Sequence, residues 1–217
     1  MLRTQFEEEL NDLHKQFYSM GTQVSDQINK AVRSFVSHDN KLAKEVIASD
    51  EEINSLETEL ETKSLELIAL QQPVSNDLRT IITVLKASSD LERMGDHATS
   101  IAYATVETKG EERIDGVEED ILVMGEKVKN IVDASLNAYV QVDETRAREI
   151  ATWDDEINEM YSEIQGKVLD GMRENVDTIT TGREYLMTLM YLSRIADYAK
   201  NLCEWIVYLN TGKISEL

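Results

Sequence analysis

A chain of 217 residues with one proline and nine glycines permits long uninterrupted helices, so the expected fold class is all-α. Its 42 acidic and 22 basic residues give a formal net charge of −20, leaving no basic excess for a nucleic-acid backbone or anionic lipid; cations and basic protein surfaces are the expected partners, unless the acidity serves solubility alone. The lone Cys203 excludes an internal disulfide, no run approaches the ~18 apolar residues of a spanning helix, and MLRTQFEEEL lacks the apolar core of a signal peptide, so a cytoplasmic protein without membrane insertion is expected.

Leu10, Leu13, Phe17, Met20, Val24, Ile28, Ala31 and Phe35 alternate spacings of three and four, which predicts a first helix over 4–37. A second, over 39–71, has its apolar stripe at Val46, Ile53, Leu60 and Leu67, with Asp50 and Asn54 one turn apart at its edge. Pro73 and Ser75-Asn76-Asp77 stop that helix and cap a third over 76–108. There the heptad series Leu78, Leu85, Glu92, Thr99, Val106 puts a carboxylate on a mainly apolar stripe, while the companion series Ile81, Ser88, Gly95, Ala102 is small in its middle and admits a close neighbour. TKGEERIDG (Thr108 to Gly116) reads as a joint between halves.

Adding 104 to the first-helix positions gives Ile114, Val117, Ile121, Met124, Val128, Val132, Ser135 and Tyr139, so the apolar stripe repeats in register. Met20-Gly21 meets Met124-Gly125, Asp39 meets Asp143, and DEEIN at Asp50 to Asn54 meets DDEIN at Asp154 to Asn158. DLERMGDHATSIA (Asp90 to Ala102) aligns with YLSRIADYAKNLC (Tyr191 to Cys203) at an offset of 101, a shift that a shorter connection absorbs. Helices over 112–141, 143–175 and 181–210 follow, ended by Thr211-Gly212. The expected architecture is two tandem three-helix bundles, 1–109 and 110–217.

Glu92 and Asp96 stand four apart on one helical face, where like charges repel. Spacing alone carries little, because so acidic a chain makes about eight such pairs by chance. Recurrence around Asp197 and a place on the apolar stripe carry more: carboxylates taken out of water need arginine or a metal cation beside them. Oxygen ligands at this spacing suit Mg²⁺, Mn²⁺ or Fe.

His14, His38 and His97 are too scattered for a zinc site, and no Glu-x-x-His pair of a redox di-iron bundle occurs. A phosphate-cradling glycine loop, a Cys–His pair and a Gly-x-Ser-x-Gly elbow are also missing. Arg93 and Arg194 occupy equivalent places, and salt bridges to neighbouring helices or support of a metal carboxylate, with Ser193 in the same neighbourhood, are the two readings for them. Trp153 and Trp205 read as packing or interface aromatics, and Met20 and Met124 as core.

LIALQQPVSNDLR (Leu67 to Arg79), DLERMGDHATSIA, SRIADYAKN, DEEIN and DDEIN, in this order and duplicated, resemble the PhoU family across essentially the whole chain. The resemblance implies two PhoU repeats, each an antiparallel three-helix bundle, with acidic motifs that bind multinuclear clusters of Fe, Zn, Mn or Mg. It also implies a cytoplasmic, often homodimeric negative regulator of phosphate-starvation signalling, linking a phosphate ABC transporter ATPase to a sensor histidine kinase at the inner face of the membrane.

Carried over by position, the metal residues are Asp50, Asn54, Glu92 and Asp96 in the first repeat and Asp154, Asn158 and Asp197 in the second. Ser193 stands where the second motif has a glutamate, so the first site is expected to bind metal more tightly, with Asp155 and Glu159 as a compensating pair. Against the metal-binding regulator stand an acidic helical scaffold whose carboxylates meet only arginines and, further off, a carboxylate-bridged hydrolase.

Overall fold

The computed structural model describes residues 2–217, with side chains from Thr4 onward, and every regular element among them is helical. The order is α1 (Leu2–Ser37), α2 (Asn40–Gln71), α3 (Asn76–Glu107), α4 (Val117–Gln141), α5 (Glu144–Ala151), α6 (Asp154–Glu174), a 3-10 turn at Val176–Thr178, and α7 (Ile179–Thr211). No described helix is long and apolar enough to cross a membrane.

The helix ends follow from local chemistry. Asp39 and Asp143, equivalent at the 104 offset, both act as N-caps: Asp39 Oδ1 accepts from the Lys41 and Leu42 amides at 2.9 and 3.1 Å, and Asp143 Oδ1 from the Arg146 amide at 2.9 Å. Gly212 ends α7 in the left-handed region at φ 72°. Ser75 occupies the N-cap position of α3 at φ 51° without a side-chain capping bond, so its role there is backbone geometry and not the hydroxyl cap its identity suggests.

Three expectations are corrected, two of them helix boundaries. Helix α4 begins at Val117, because Gly110 and Gly116 take positive φ and the joint between them is held by Arg113, whose guanidinium donates to Thr108 O at 2.8 Å and Glu118 Oε1 at 3.2 Å. The fifth segment is broken at Thr152-Trp153, where the amides turn back to Glu149 O and Ile150 O, three residues away instead of four. Trp153 packs against the core with Arg146 over its ring at 4.9 Å; Ala48-Ser49, the equivalent pair in α2, are small and the helix runs on.

The third correction concerns α3. Leu78, Leu85 and Glu92 are half-buried and Val106 is exposed, leaving Thr99 as the buried member of that series. The line Ile81, Ser88, Gly95, Ala102 lies inside instead. Helix α3 contacts α1, α2 and α7 together, so its buried face is wide and the Glu92 stripe falls at its border with α2.

The two repeats share one hydrophobic core, since α1 packs on α4 and α3 on α7. Leu13, Phe17, Met20, Val24 and Ile28 of α1 and Val117, Ile121, Met124, Val128 and Val132 of α4 are fully buried. At the crossing of α1 and α4, Gly21 faces Leu136 and Gly125 faces Val32. These contacts are the same contact seen twice, because 21 + 104 = 125 and 32 + 104 = 136. A pseudo-two-fold relation between repeats thus passes through two glycines that allow close helix approach.

A methyl group at Gly125 would stand 2.6 Å from Val32 Cγ1. Gly125→Ala is therefore expected to lower stability by about 1–3 kcal/mol despite its better helix propensity. Adding Val32→Ala should recover part of the loss, which denaturant unfolding of the four proteins of that double-mutant cycle measures.

Candidate metal centre

The first-repeat centre lies where α2 meets α3. Gly95 lets the helices close: a Cβ there would meet Gln27 Oε1 of α1 at 3.0 Å and Ile53 Cγ2 of α2 at 3.3 Å. One turn on, the Thr99 hydroxyl donates to Asp50 Oδ1 at 2.8 Å and accepts from Gln27 Nε2 at 3.1 Å. Asn54 Nδ2 reaches the other oxygen of Asp50 at 3.5 Å, and Asn54 Oδ1 is buried without a hydrogen-bond partner among the described residues. Asp50 is thereby anchored from inside, and an oxygen beside it is left to accept from a cation.

Glu92 and Asp96 face this pair from α3, Glu92 half-buried and Asp96 exposed. Burial pushes the Glu92 carboxyl up from its ordinary value, with Asp96, Glu57 and Asp50 adding like-charge repulsion that Arg93 only partly offsets. Asp96 is raised by burial and by Asp50, and Glu57 by burial and Glu61. Glu57 thus belongs to the cluster although the duplicated motif omits it; its signal was the stripe Asp50, Asn54, Glu57, Glu61 along one face of α2.

Among the described residues, no three His, Cys, Asp or Glu side chains already stand as one ion-holding group. Like charges in the cluster repel one another, and a cation between them would reverse the sign of that interaction. The donor set fits a hard cation in charge and in kind, with Asp50, Asn54, Glu57, Glu92 and Asp96 as candidate oxygen ligands. Glu57 and Arg93 also border a cleft of about 510 Å³ that reaches Asp90 and Trp205, where Trp205 Nε1 donates to Asp90 Oδ2 at 3.2 Å.

The second-repeat centre is built differently. Asp154 is only 8% exposed, begins α6, accepts from Asn158 Nδ2 at 3.1 Å through Oδ2, and keeps Oδ1 buried and unpartnered among the described residues. Burial and the nearby Asp197 raise its pKa, against the Lys200 ammonium and the Asn158 amide. Asp197 pairs with Arg194 of its own helix at 3.2 Å. Asn158, Asp155 and Glu159 are exposed, and Ser193 is half-buried on the α7 surface.

Among the described residues, neither arginine makes the salt bridge to a neighbouring helix that its position suggests. Arg93 lies over the Tyr198 ring at 5.9 Å across the repeat interface, while Arg194 pairs within α7 and acts on His97. His97 itself stacks on Tyr191 and Tyr198 at 5.5 and 5.8 Å, with its pKa lowered by burial and by Arg194, so it is a packing residue of the α3–α7 interface.

The family model for the PhoU domain matches residues 17–105 and again residues 121–206. The chain belongs to the PhoU family. A "phosphate-specific transport system accessory protein PhoU homolog" of Clostridium acetobutylicum is 38% identical over 100% of this chain and 99% of that one. The crystal structure of the phosphate transport system regulatory protein PhoU from Streptococcus pneumoniae superposes with a TM-score of 0.91 at 32% identity, covering 98% of this chain and 100% of that one. PhoU from Pseudomonas aeruginosa gives 0.91 at 30% identity, covering 96% and 100%. The PhoU fold therefore extends over both repeats and the helices that carry both centres.

In the metal-free protein the raised Glu92 and Asp96 have a testable sign. A carboxyl whose folded pKa exceeds its unfolded one favours folding below the unfolded value, about pH 4, and loses that contribution as pH rises through the folded value. Glu92→Gln/Asp96→Asn should thus be more stable than wild type at pH 7 in chelator. The gap should close as pH falls toward about 4, as thermal melts across that range report.

Proposed function

We propose that this chain is a non-enzymatic regulator of phosphate uptake that binds a hard cation at Asp50, Asn54, Glu92 and Asp96, joined by Glu57. It acts by contact with a phosphate ABC transporter ATPase and a sensor histidine kinase on the cytoplasmic side of the membrane. The observation that carries the regulatory reading is the full-length likeness to phosphate-transport accessory and regulatory proteins, both repeats included. The cation is supported by the buried, unpartnered Asn54 Oδ1 beside four carboxylates held at raised pKa or anchored from the core. Binding would draw these side chains together and change the charge of the α2–α3 face, which is the face offered to a partner.

A ligand for the folded state alone stabilises by about 2.7 kcal/mol at a hundredfold excess over Kd, about 5–10 °C in Tm for a chain of this size. Mn²⁺ should produce such a shift in wild type and none in Glu92→Gln/Asp96→Asn; equal curves in both would remove the cation from the reading. Deleting the gene should release phosphate-responsive expression and uptake from control. Wild type should restore control and retain the transporter ATPase or the kinase in a pull-down. Unchanged uptake and expression after deletion would overturn the regulatory role.

A further inference from the structure

The two centres differ at one position that decides what cation each can hold. In the first repeat Thr99 donates to Asp50 at 2.8 Å. At the repeat offsets the equivalent of Asp50 is Asp154, since 50 + 104 = 154, and the equivalent of Thr99 is Lys200, since 99 + 101 = 200. A neutral hydroxyl in one centre is thus replaced by an ammonium in the other, on the same helical turn, where its charge acts on Asp154 without an ion-pair contact among the described residues. The half-buried Lys200 carries three donors on a flexible stem within charge range of Asp154, which is 8% exposed and keeps a buried oxygen without a partner among the described residues.

The other differences have the same sense. Glu57 and Glu61 are replaced by Tyr161 and Gln165, which bond to one another at 3.4 Å, and Glu92 by Ser193. Asp197 is paired with Arg194. Asp154 opens α6, whose N-terminal amides already present partial positive charge to its carboxylate. An entering divalent ion would find two carboxylates, each with a positive group at hand, and an ammonium in its way.

We propose that Lys200 is the resident cation of the second-repeat centre and keeps divalent metal out of it, so that metal binds this chain at the first repeat alone. The proposal rests on the cation reading of the first centre, and the two fail separately. Mn²⁺ binding is measured by calorimetry, with circular dichroism confirming helicity of every variant. Wild type that binds no Mn²⁺ overturns the cation reading, and with it the claim of a first-repeat site. In Glu92→Gln/Asp96→Asn, the proposal expects no Mn²⁺ binding. Adding Ser193→Glu and Lys200→Thr to that background should create Mn²⁺ binding on the order of 100-fold above the detection limit that the background sets, abolished again by Asp154→Asn. Residual binding in Glu92→Gln/Asp96→Asn that Asp154→Asn removes would overturn the exclusion, as would failure of the Ser193→Glu/Lys200→Thr change to gain Mn²⁺ binding. Lys200→Thr tested alone separates the ammonium from the missing glutamate: no gain in Mn²⁺ affinity over the parent would assign exclusion to Ser193 and overturn the role of Lys200.

Discussion

The close crossing of α1 and α4 is the constraint on which the rest of the molecule depends. Gly21 against Leu136 and Gly125 against Val32 are one contact in two copies, and each leaves no room for a methyl group. Helices that approach this closely bury both apolar stripes in one core, so neither repeat needs to be stable as a separate bundle. With α1 and α4 inside, α2 with α3 and α6 with α7 are turned so that their borders face outward, and the acidic motifs lie along those borders. The carboxylates thus sit where two helices meet with one side open, the setting in which burial raises their pKa without removing them from solvent.

Duplication made the core symmetric and left the centres free to diverge. Core positions pair closely, Met20 with Met124 and Val24 with Val128, and so do the helix caps Asp39 and Asp143. A core change propagates through close packing, so both copies remain under the same restraint. A border position feels only its own neighbours. Thr99 and Lys200, Glu57 and Tyr161, Glu92 and Ser193 are pairs of that kind, and each leaves the second centre with less negative charge than the first.

Much of this was legible in the sequence, and the failures have identifiable causes. The repeat, the helix faces of α1 and α4, the Asp39 and Asp143 positions and the joint at Thr108 to Gly116 follow from periodicity and turn chemistry, which are local. The break at Thr152-Trp153 is not local, because a tryptophan in a helical pattern becomes a breaker only where the core beneath takes its ring. A heptad count places Glu92 on the apolar stripe, because it does not say which of two stripes is central when a helix touches three neighbours. At the centre itself, Asp50, Asn54, Glu92 and Asp96 were visible as spaced oxygens. Thr99 and Lys200 were not, since neither resembles a ligand: Thr99 meets Asp50 only across a helix pair, and Lys200 acts on Asp154 through its charge.

The same spacing that builds the centres also ties them to the interface between repeats. Glu92 is followed by Arg93 and Asp96 by His97, while Ser193 is followed by Arg194 and Asp197 by Tyr198. On a helix, consecutive residues point about 100° apart, so when the acidic residue faces the α2 border its neighbour is turned toward α7. There Arg93 lies over Tyr198, and His97 stacks between Tyr191 and Tyr198. Arg93 is also the cation that tempers the Glu92 carboxyl, so its charge is divided between the acidic centre and an aromatic ring of the other repeat. Neutralising Glu92 changes what Arg93 has to balance, and Arg93 answers to both repeats. A charge event on the α2–α3 face is in this way one residue removed from the packing that sets the two repeats against each other.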